Sequence, residues 1–394
     1  MSTPRPDDAL VVAAMADVEH PIKVAAADWA RATLGLEDMR DRDRDSVFFR
    51  EAWAACAHYG LQASIVPTED GGAGDDIVTT MLKLEGLGLG CLDNGLGFAL
   101  ASQMLSFQDA IIRFGSPEQK AAILPGVCDG STIGAFAITE PGSGSDTYAM
   151  EATAVRDGDG YLLHGHKAHI TLGPVADTMV VFAKTNPDAG AWGISAFLVY
   201  NDRPGITQTE NHEKMGLRTV PFGDILLDGY RASEADRLGP EGAGVSIFAA
   251  CMESERGLIF ATQLGAIERV IHQAVERANT RHQFDQPIGA FQAVSHRLAE
   301  MRVRHESARL MLYRAAAVIG DGKRATMAAA MSKLVTSEAI ADIALDAARV
   351  HGARGYVVEY EVEREVRDAL GGLVYSGTSD IQRNLIARLM GVST

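Results

Sequence analysis

A small-residue loop at residues 140–146, which reads EPGSGSD, is the first part of the chain whose residue types could do chemistry. Glycine and serine let such a loop present backbone N–H groups and hydroxyls to a phosphate or a cofactor ring without obstruction by side chains. The loop is not a Rossmann dinucleotide fingerprint, because the third glycine is missing and no helical pattern follows. In isolation it is more typical of a plain turn.

Two glutamates stand two residues apart, at Glu253 and Glu255, next to Arg256. A carboxylate can remove a proton from a weakly acidic substrate as a general base. A Glu followed by an Arg is more often a solvated ion pair. Because residues two apart on a helix face different directions, a single site can use only one of the two glutamates.

Three histidines, His164, His166 and His169, lie in one short segment that reads HGHKAH. Alternate residues of a strand face one side, so this spacing could hold a metal ion. No carboxylate or cysteine completes the set nearby in the sequence, and the residues at 165–167 are typical of a turn between two strands. We therefore predict a turn there and no metal site.

The composition is that of a globular protein, since 47% of the 394 residues are hydrophobic and 22% are charged. The formal net charge of -16 disfavours nucleic-acid binding, which needs clustered Lys and Arg. No apolar run reaches membrane-spanning length and residues 1–8 are polar, so we expect a cytoplasmic protein without membrane contact. The scattered cysteines, without CxxC spacing, fit reduced thiols.

A run of arginines is the one candidate for a local basic patch on this acidic chain. These residues are Arg302, Arg304, Arg309 and Arg314. We interpret them as the solvated face of a helix rather than as a docking site.

The spacing of apolar residues changes twice along the chain. Helical spacing dominates up to about residue 130, a period of two follows to about 240, and long helical patterns then return. We predict an α+β protein with an N-terminal helical domain (1–132), a middle β domain (133–240) and a C-terminal helical domain (241–394). Strands are predicted at 133–139, 178–185, 194–200 and 222–227.

Two local signals support this division. Ser116, Pro117 and Gln119 combine an N-cap serine, a proline at the first helical position and a Gln that can reach back to the cap. Residues 157–160, which read DGDG between two β-rich runs, predict a hairpin turn.

The segment 371–383, which reads GGLVYSGTSDIQR, resembles the C-terminal signature of acyl-CoA dehydrogenases. Residues 136–146, FAITEPGSGSD, resemble that family's flavin-contact signature, and residues 281–292, RHQFDQPIGAFQ, resemble its Arg-x-x-Phe-Gly motif followed by Gln. The motifs stand in the family's order and cover essentially the whole chain. The resemblance implies an N-terminal helical domain, a middle β-barrel or sheet domain and a C-terminal four-helix bundle.

FAD is the cofactor that the resemblance implies. In the family, the backbone matching Ile138 and the hydroxyl matching Thr139 bond the flavin ring, and Ser145 approaches the phosphate. Arg281 and Gln292 match residues that reach the pyrophosphate of an FAD bound mainly by a neighbouring subunit. This implies at least a dimer and, by the family, a homotetramer. The full implied set is Phe136, Ile138, Thr139, Ser145, His169, Thr171, Arg281, Phe284, Gln292, Arg349, Gly352, Thr378 and Asp380.

Three positions depart from the family's pattern. His169 stands where the family carries a Trp or Phe against the flavin, and Arg349 stands where it carries a Gln. Asp285 replaces a Gly, and Asp is one of the residues that tolerate a left-handed backbone.

The family's usual catalytic base is also replaced. Much of the family has a Glu directly after the tyrosine of its C-terminal signature, whereas this chain has Ser376 there. One branch, which includes the isovaleryl-type enzymes, carries its base at the position of Glu255 and a small residue at the position of Ser376. The resemblance therefore implies that Glu255 is the base and that the backbone N–H of Ser376 binds the thioester carbonyl, with Glu253 as the weaker rival.

The activity implied is α,β-dehydrogenation of an acyl thioester. Residues 376–382, together with residues 183–188 and 310–315, look most like the branch that oxidises aminoacyl or acyl groups on carrier proteins in natural-product pathways, such as prolyl-carrier-protein dehydrogenases. Two alternatives stay open: a short- or branched-chain acyl-CoA dehydrogenase, and a flavin monooxygenase or oxidase in which Glu255 is structural. The electron acceptor would be an electron-transfer flavoprotein or oxygen.

Overall fold

The computed structural model describes residues 8–16, 19–34 and 37–393. Residues 1–7, which carry most of the polar N-terminus noted above, lie outside these ranges. Among the helices within them, none has the length and apolar character needed to cross a membrane.

The N-terminal part of the chain is helical, as predicted. Ser116 accepts a hydrogen bond from the Gln119 N–H, and the Gln119 side chain accepts one from the Ser116 N–H, so the predicted capping box is present. The helices are α1 (Asp8–Ala16), α2 (Pro21–Thr33), α3 (Met39–Asp45), α4 (Arg50–His58), α5 (Ile77–Gly90), α6 (Asn94–Ser102), α7 (Asp109–Phe114) and α8 (Pro117–Cys128), with a π-helical turn (Gln103–Gln108) between α6 and α7.

A mixed sheet of eight strands forms the middle of the chain. Its order is β6-β7-β3-β2-β4-β5-β8, and β1 pairs in parallel with β4. The predicted hairpin is confirmed, because Asp157 pairs with Gly160 and Gly158 has a φ of 61°. The strands are β1 (Gly134–Ala137), β2 (Thr153–Asp157), β3 (Gly160–Thr171), β4 (Thr178–Lys184), β5 (Ile194–Tyr200), β6 (Ile206–Gln208), β7 (Phe222–Ser233) and β8 (Arg237–Leu238).

The predicted turn at residues 165–167 is wrong. These residues lie inside β3, which pairs with β7 along its length and absorbs two register shifts there. The buried Lys167 side chain donates to the Glu140 carboxylate at 2.7 Å, a contact that a solvent-exposed turn could not make. The long partner strand β7 and this buried ion pair keep the segment extended.

Helices return after residue 243 and form the C-terminal bundle. Helices α9 to α12 pack against one another as its four long members. Residues 252–256, with both candidate glutamates, lie in the second half of α9. The elements are α9 (Gly244–Leu258), α10 (Ala261–Thr280), β9 (His282–Gln283), β10 (Gln286–Pro287), α11 (Gln292–Gly320), α12 (Thr326–His351), α13 (Val362–Gly371) and α14 (Ser379–Leu389). The domain boundaries at 132 and 240 stay a prediction.

A buried charged cluster joins the N-terminal helices to this bundle. The Glu85 carboxylate on α5 accepts from the Arg309 guanidinium at 2.8 Å, from the Tyr313 hydroxyl at 2.5 Å and from the Lys23 ammonium at 3.0 Å. Lys23 also contacts Glu268 on α10 at 2.5 Å. Arg309 is fully buried in this cluster, so its assignment to a solvated helix face is wrong.

Candidate active site

The Glu255 carboxylate lies between two serine hydroxyls. Ser376 Oγ donates to Glu255 Oε1 at 2.5 Å, and Ser106 Oγ donates to Glu255 Oε2 at 2.5 Å. The structure thus brings together Glu255 and Ser376, which the sequence singled out, from α9 and the loop before α14. No motif pointed to Ser106, because a serine in an apolar helical stretch gives no functional signal.

Glu253 has a different environment. Its carboxylate accepts from the backbone N–H of Ala325 at 3.0 Å and from the Thr326 hydroxyl. Both donors lie at the start of α12, so Glu253 supplies an acceptor to the unsatisfied N–H groups of a helix N-terminus. The two-residue spacing turns this side chain away from the serines that hold Glu255.

Ser376 adopts an uncommon backbone conformation. Its φ is 55°, in the left-handed region that non-glycine residues rarely occupy and that often marks functional sites. Its carbonyl accepts from Arg256 Nε at 3.2 Å and from Gln382 Nε2 at 3.3 Å. Within the described ranges its own backbone N–H has no hydrogen-bond acceptor, so this donor remains available to a ligand.

Aromatic packing holds the residue before Ser376 in place. The Tyr375 ring stacks on Phe260 with 5.5 Å between centroids and contacts Phe98 at 4.5 Å. Its hydroxyl accepts from Gln263 Nε2 at 2.7 Å. The loop that carries Ser376 is therefore anchored to α6 and α10.

The small-residue loop at 140–146 is pinned at its first residue. The Glu140 carboxylate accepts from the N–H groups of Glu151 at 2.5 Å and Ala152 at 3.0 Å and from the Lys167 ammonium. Ser145, further along the loop, is exposed, and among the described residues its side chain has no hydrogen-bond partner.

Two threonine hydroxyls stand free beside this loop. Thr139 follows β1 and Thr171 ends β3, and these two segments adjoin where the Ala168 N–H donates to the Thr139 carbonyl at 2.8 Å. Both threonines are half-buried, and neither hydroxyl has a partner in the part of the chain that the structure describes. The Ile138 carbonyl accepts from Lys167 Nζ at 3.1 Å. Free hydroxyls at adjoining strand ends fit the nitrogen and oxygen atoms of a flavin ring.

Phe136 connects the sheet to the helix that carries Glu255. Its ring lies 5.1 Å from Phe182 on β4 and 6.4 Å from Phe248 on α9, centroid to centroid. The contact sets the sheet edge against α9.

His169 lies in a cluster of rings and hydrogen bonds. Its φ is 61°, its N–H donates to Asp224 at 3.0 Å, and its ring lies 5.5 Å from His212 and 5.8 Å from Phe222. His166 and His212 bind the two oxygens of Asp224 at 2.8 and 2.7 Å. Burial opposes the charge of Asp224, but hydrogen bonds from His212, the His169 N–H and His166 lower its pKa to about 2.

The remaining cofactor candidates from the sequence lie on the surface of the bundle. Arg281 and Gln292 are exposed, and neither side chain has a hydrogen-bond partner within the described ranges. Phe284 is 89% exposed, and it and Asp285 have φ values of 51° and 60°, as expected for a left-handed turn.

The last group of cofactor-binding candidates from the sequence comprises Arg349, Gly352, Thr378 and Asp380. Arg349 donates to Asp346 at 2.9 Å and is 63% exposed, and the nearby Gly352 has a φ of 63°. The Thr378 hydroxyl caps α14 by accepting from the Ile381 N–H at 3.2 Å. Asp380 is exposed and pairs with Arg383 at 3.1 Å.

Comparison with known proteins accounts for all three parts of the chain. Residues 17–131 match the N-terminal domain of acyl-CoA dehydrogenases, residues 135–230 the middle domain and residues 242–391 the C-terminal domain. An L-prolyl-peptidyl-carrier-protein dehydrogenase of Pseudomonas fluorescens is 41% identical over 342 residues, which cover 86% of this chain and 90% of the relative.

Solved structures of similar proteins share the fold. The prolyl acyl carrier protein oxidase AnaB superposes with a TM-score of 0.93 at 38% identity, covering 98% of this chain and 100% of that one. PigA with FAD and proline superposes with a TM-score of 0.91 at 35% identity, covering 98% of this chain and 99% of that one. The chain belongs to the acyl-CoA dehydrogenase family.

Proposed function

We propose that this protein is an FAD-dependent dehydrogenase that introduces an α,β double bond into an acyl group held as a thioester on a carrier protein, with Glu255 as the base. The observation that carries the proposal is the Glu255 carboxylate, held by Ser106 and Ser376 next to the free N–H of Ser376. Carrier-protein relatives at 41% and 37% identity support this substrate class and favour a prolyl or related aminoacyl group.

The chemistry needs a base and a site for the thioester oxygen. The α-C–H of a thioester is a weak acid, so negative charge must be stabilised on the carbonyl oxygen while the proton leaves. Glu255 takes the proton from the α-carbon, and the N–H of Ser376 donates to the carbonyl oxygen. When bound, FAD supplies the acceptor for the hydride that leaves the β-carbon.

For the cofactor we propose a site shared between two copies of the chain. The free hydroxyls of Thr139 and Thr171 would bind the flavin ring, and Ser145 would approach a phosphate. Arg281 and Gln292 would bind the pyrophosphate of an FAD held by a neighbouring copy, because they face outward. The 89% exposed rings of Phe284 and Tyr356 support a partner surface here, and we propose a homotetramer.

We extend the proposal to the electron acceptor and to the cellular compartment. A 38% identical relative is named an oxidase, which favours oxygen over an electron-transfer flavoprotein as the acceptor. The four free thiols, three of them buried, fit a reducing cytoplasm.

Bleaching of the bound flavin under anaerobic conditions tests the substrate class. The same acyl groups, prolyl among them, are presented on a carrier protein and on CoA. We expect the carrier-bound prolyl thioester to reduce the flavin at least about tenfold more efficiently than its CoA counterpart. The reason is that contacts between the enzyme and the carrier protein would add binding energy in the transition state. Equal efficiency would favour an acyl-CoA dehydrogenase, and a flavin that no thioester bleaches would contradict the proposal.

Replacing Arg281 by Ala should weaken FAD binding without unfolding the chain. Loss of a charge-assisted hydrogen bond to pyrophosphate should raise the FAD Kd by about 10- to 100-fold. The Kd is measured by titrating apoprotein with FAD, and Arg314→Ala, another exposed arginine of the bundle, serves as the control. An unchanged Kd in Arg281→Ala would remove this residue from the cofactor site.

A further inference from the structure

Ser106 is a buried residue whose hydroxyl contacts the proposed base. It is 1% exposed, and its Oγ lies 2.5 Å from Glu255 Oε2. The other carboxylate oxygen is held by Ser376 at the same distance. Each oxygen of Glu255 therefore has its own hydroxyl donor, from two segments far apart in the sequence.

A π-helical turn places Ser106 against α9. The turn spans Gln103–Gln108, and all its residues are buried. A π turn fits an extra residue into a helix, which changes the direction of the side chains that follow, and such turns are frequent at functional sites. This one packs on both β1 and α9, and the Gln103 side chain accepts from the Gly134 N–H at 2.7 Å at the start of β1.

The bond that Ser106 makes is not the usual one for a serine in a helix. A serine in a helix commonly donates to the carbonyl four residues earlier, as Ser307 does to Val303 at 2.8 Å. Ser106 makes no such bond and donates across to α9 instead. The π turn thus directs this hydroxyl to the carboxylate.

We propose that Ser106 is a positioning residue for the base of the reaction, an inference that rests on the proposed function. Two donors on opposite oxygens fix both the rotamer and the plane of the Glu255 carboxylate. The α-proton goes to Oε1, on the side of Ser376, while Ser106 continues to donate to Oε2. Without Ser106 the carboxylate can turn about its last bond and leaves the orientation in which it meets the α-carbon.

The test compares rapid anaerobic flavin reduction in FAD-loaded wild type and Ser106→Ala, with the thioester that best reduces the wild type. The limiting rate constant should fall by about 10- to 100-fold, the size of loss expected when a reacting group is misplaced by about 1 Å. The substrate Kd should stay within about threefold, because ground-state contacts are unchanged. Ser64→Ala, at an equally buried serine that donates to the Gly60 carbonyl, should keep the wild-type rate.

If the Ser106→Ala protein does not fold, a second variant provides the test. Ser106→Cys keeps the volume but is a weak donor, so its limiting rate should fall as well. A wild-type limiting rate in the Ala or Cys variant, or a loss confined to the substrate Kd, would overturn the inference while leaving the proposed function intact. A wild type that no thioester reduces would overturn both.

Discussion

Replacing Glu255 by Gln should lower the rate of flavin reduction by roughly 10²- to 10⁴-fold, the usual contribution of a general base. Gln keeps the shape of the side chain, and its oxygen can still accept from one of the two serines while its NH2 group donates to the other, but it cannot take the α-proton. Rapid anaerobic mixing with a carrier-bound thioester measures this rate. The visible spectrum of the bound flavin should be retained, because the substitution removes basicity and no cofactor contact.

Glu253→Gln is the matched control. The same chemical change two residues away weakens the cap of α12, so it should cost stability and leave the rate of flavin reduction within about threefold of wild type. Near-normal reduction in Glu255→Gln, or a large loss in Glu253→Gln alone, would contradict the assignment of the base.

Replacing Glu85 by Ala should destabilise the protein by about 3–5 kcal/mol, the typical cost of removing one partner from a buried charged pair. The change leaves the ammonium of Lys23 and the guanidinium of Arg309 in the interior without the carboxylate between them. Urea unfolding of the FAD-loaded protein, followed by far-UV circular dichroism, measures the effect.

Asp28→Ala is the control for this variant. Asp28 pairs with Arg31 on the surface of α2, and both side chains are more than half exposed. Screening by water keeps such pairs to about 0–1 kcal/mol. A loss below about 1 kcal/mol in Glu85→Ala would show that the buried cluster does not hold the N-terminal helices to the bundle.

The fold was predictable from the sequence because its signals are local. Changes in the spacing of apolar residues distinguish helices from strands. The capping residues of α8 and the hairpin turn after β2 are also signals that span only a few residues. The error at residues 165–167 arose because a glycine beside polar residues is typical of a turn. Pairing with β7 and the hydrogen bond from Lys167 to Glu140 override the turn preference, and both involve residues distant in the sequence.

The site was predictable only where motifs carried it. The resemblance to the family indicated that Glu255 takes the place of the base missing at Ser376, and in the structure the two side chains are in contact. Ser106 and the cap formed by Glu253 depend on contacts between helices distant in sequence. The burial of Arg309 has the same origin, since its partner Glu85 lies 224 residues away.

The central claim is that the acyl group is oxidised after Glu255 removes its α-proton. The most direct test is to measure the mass of the carrier-bound acyl group after reaction in air. With wild-type protein the account predicts that the acyl group loses hydrogens in pairs and gains no oxygen, and that with Glu255→Gln its mass is unchanged over the same time. A gain of oxygen, or the same loss of hydrogens with Glu255→Gln, would contradict the account.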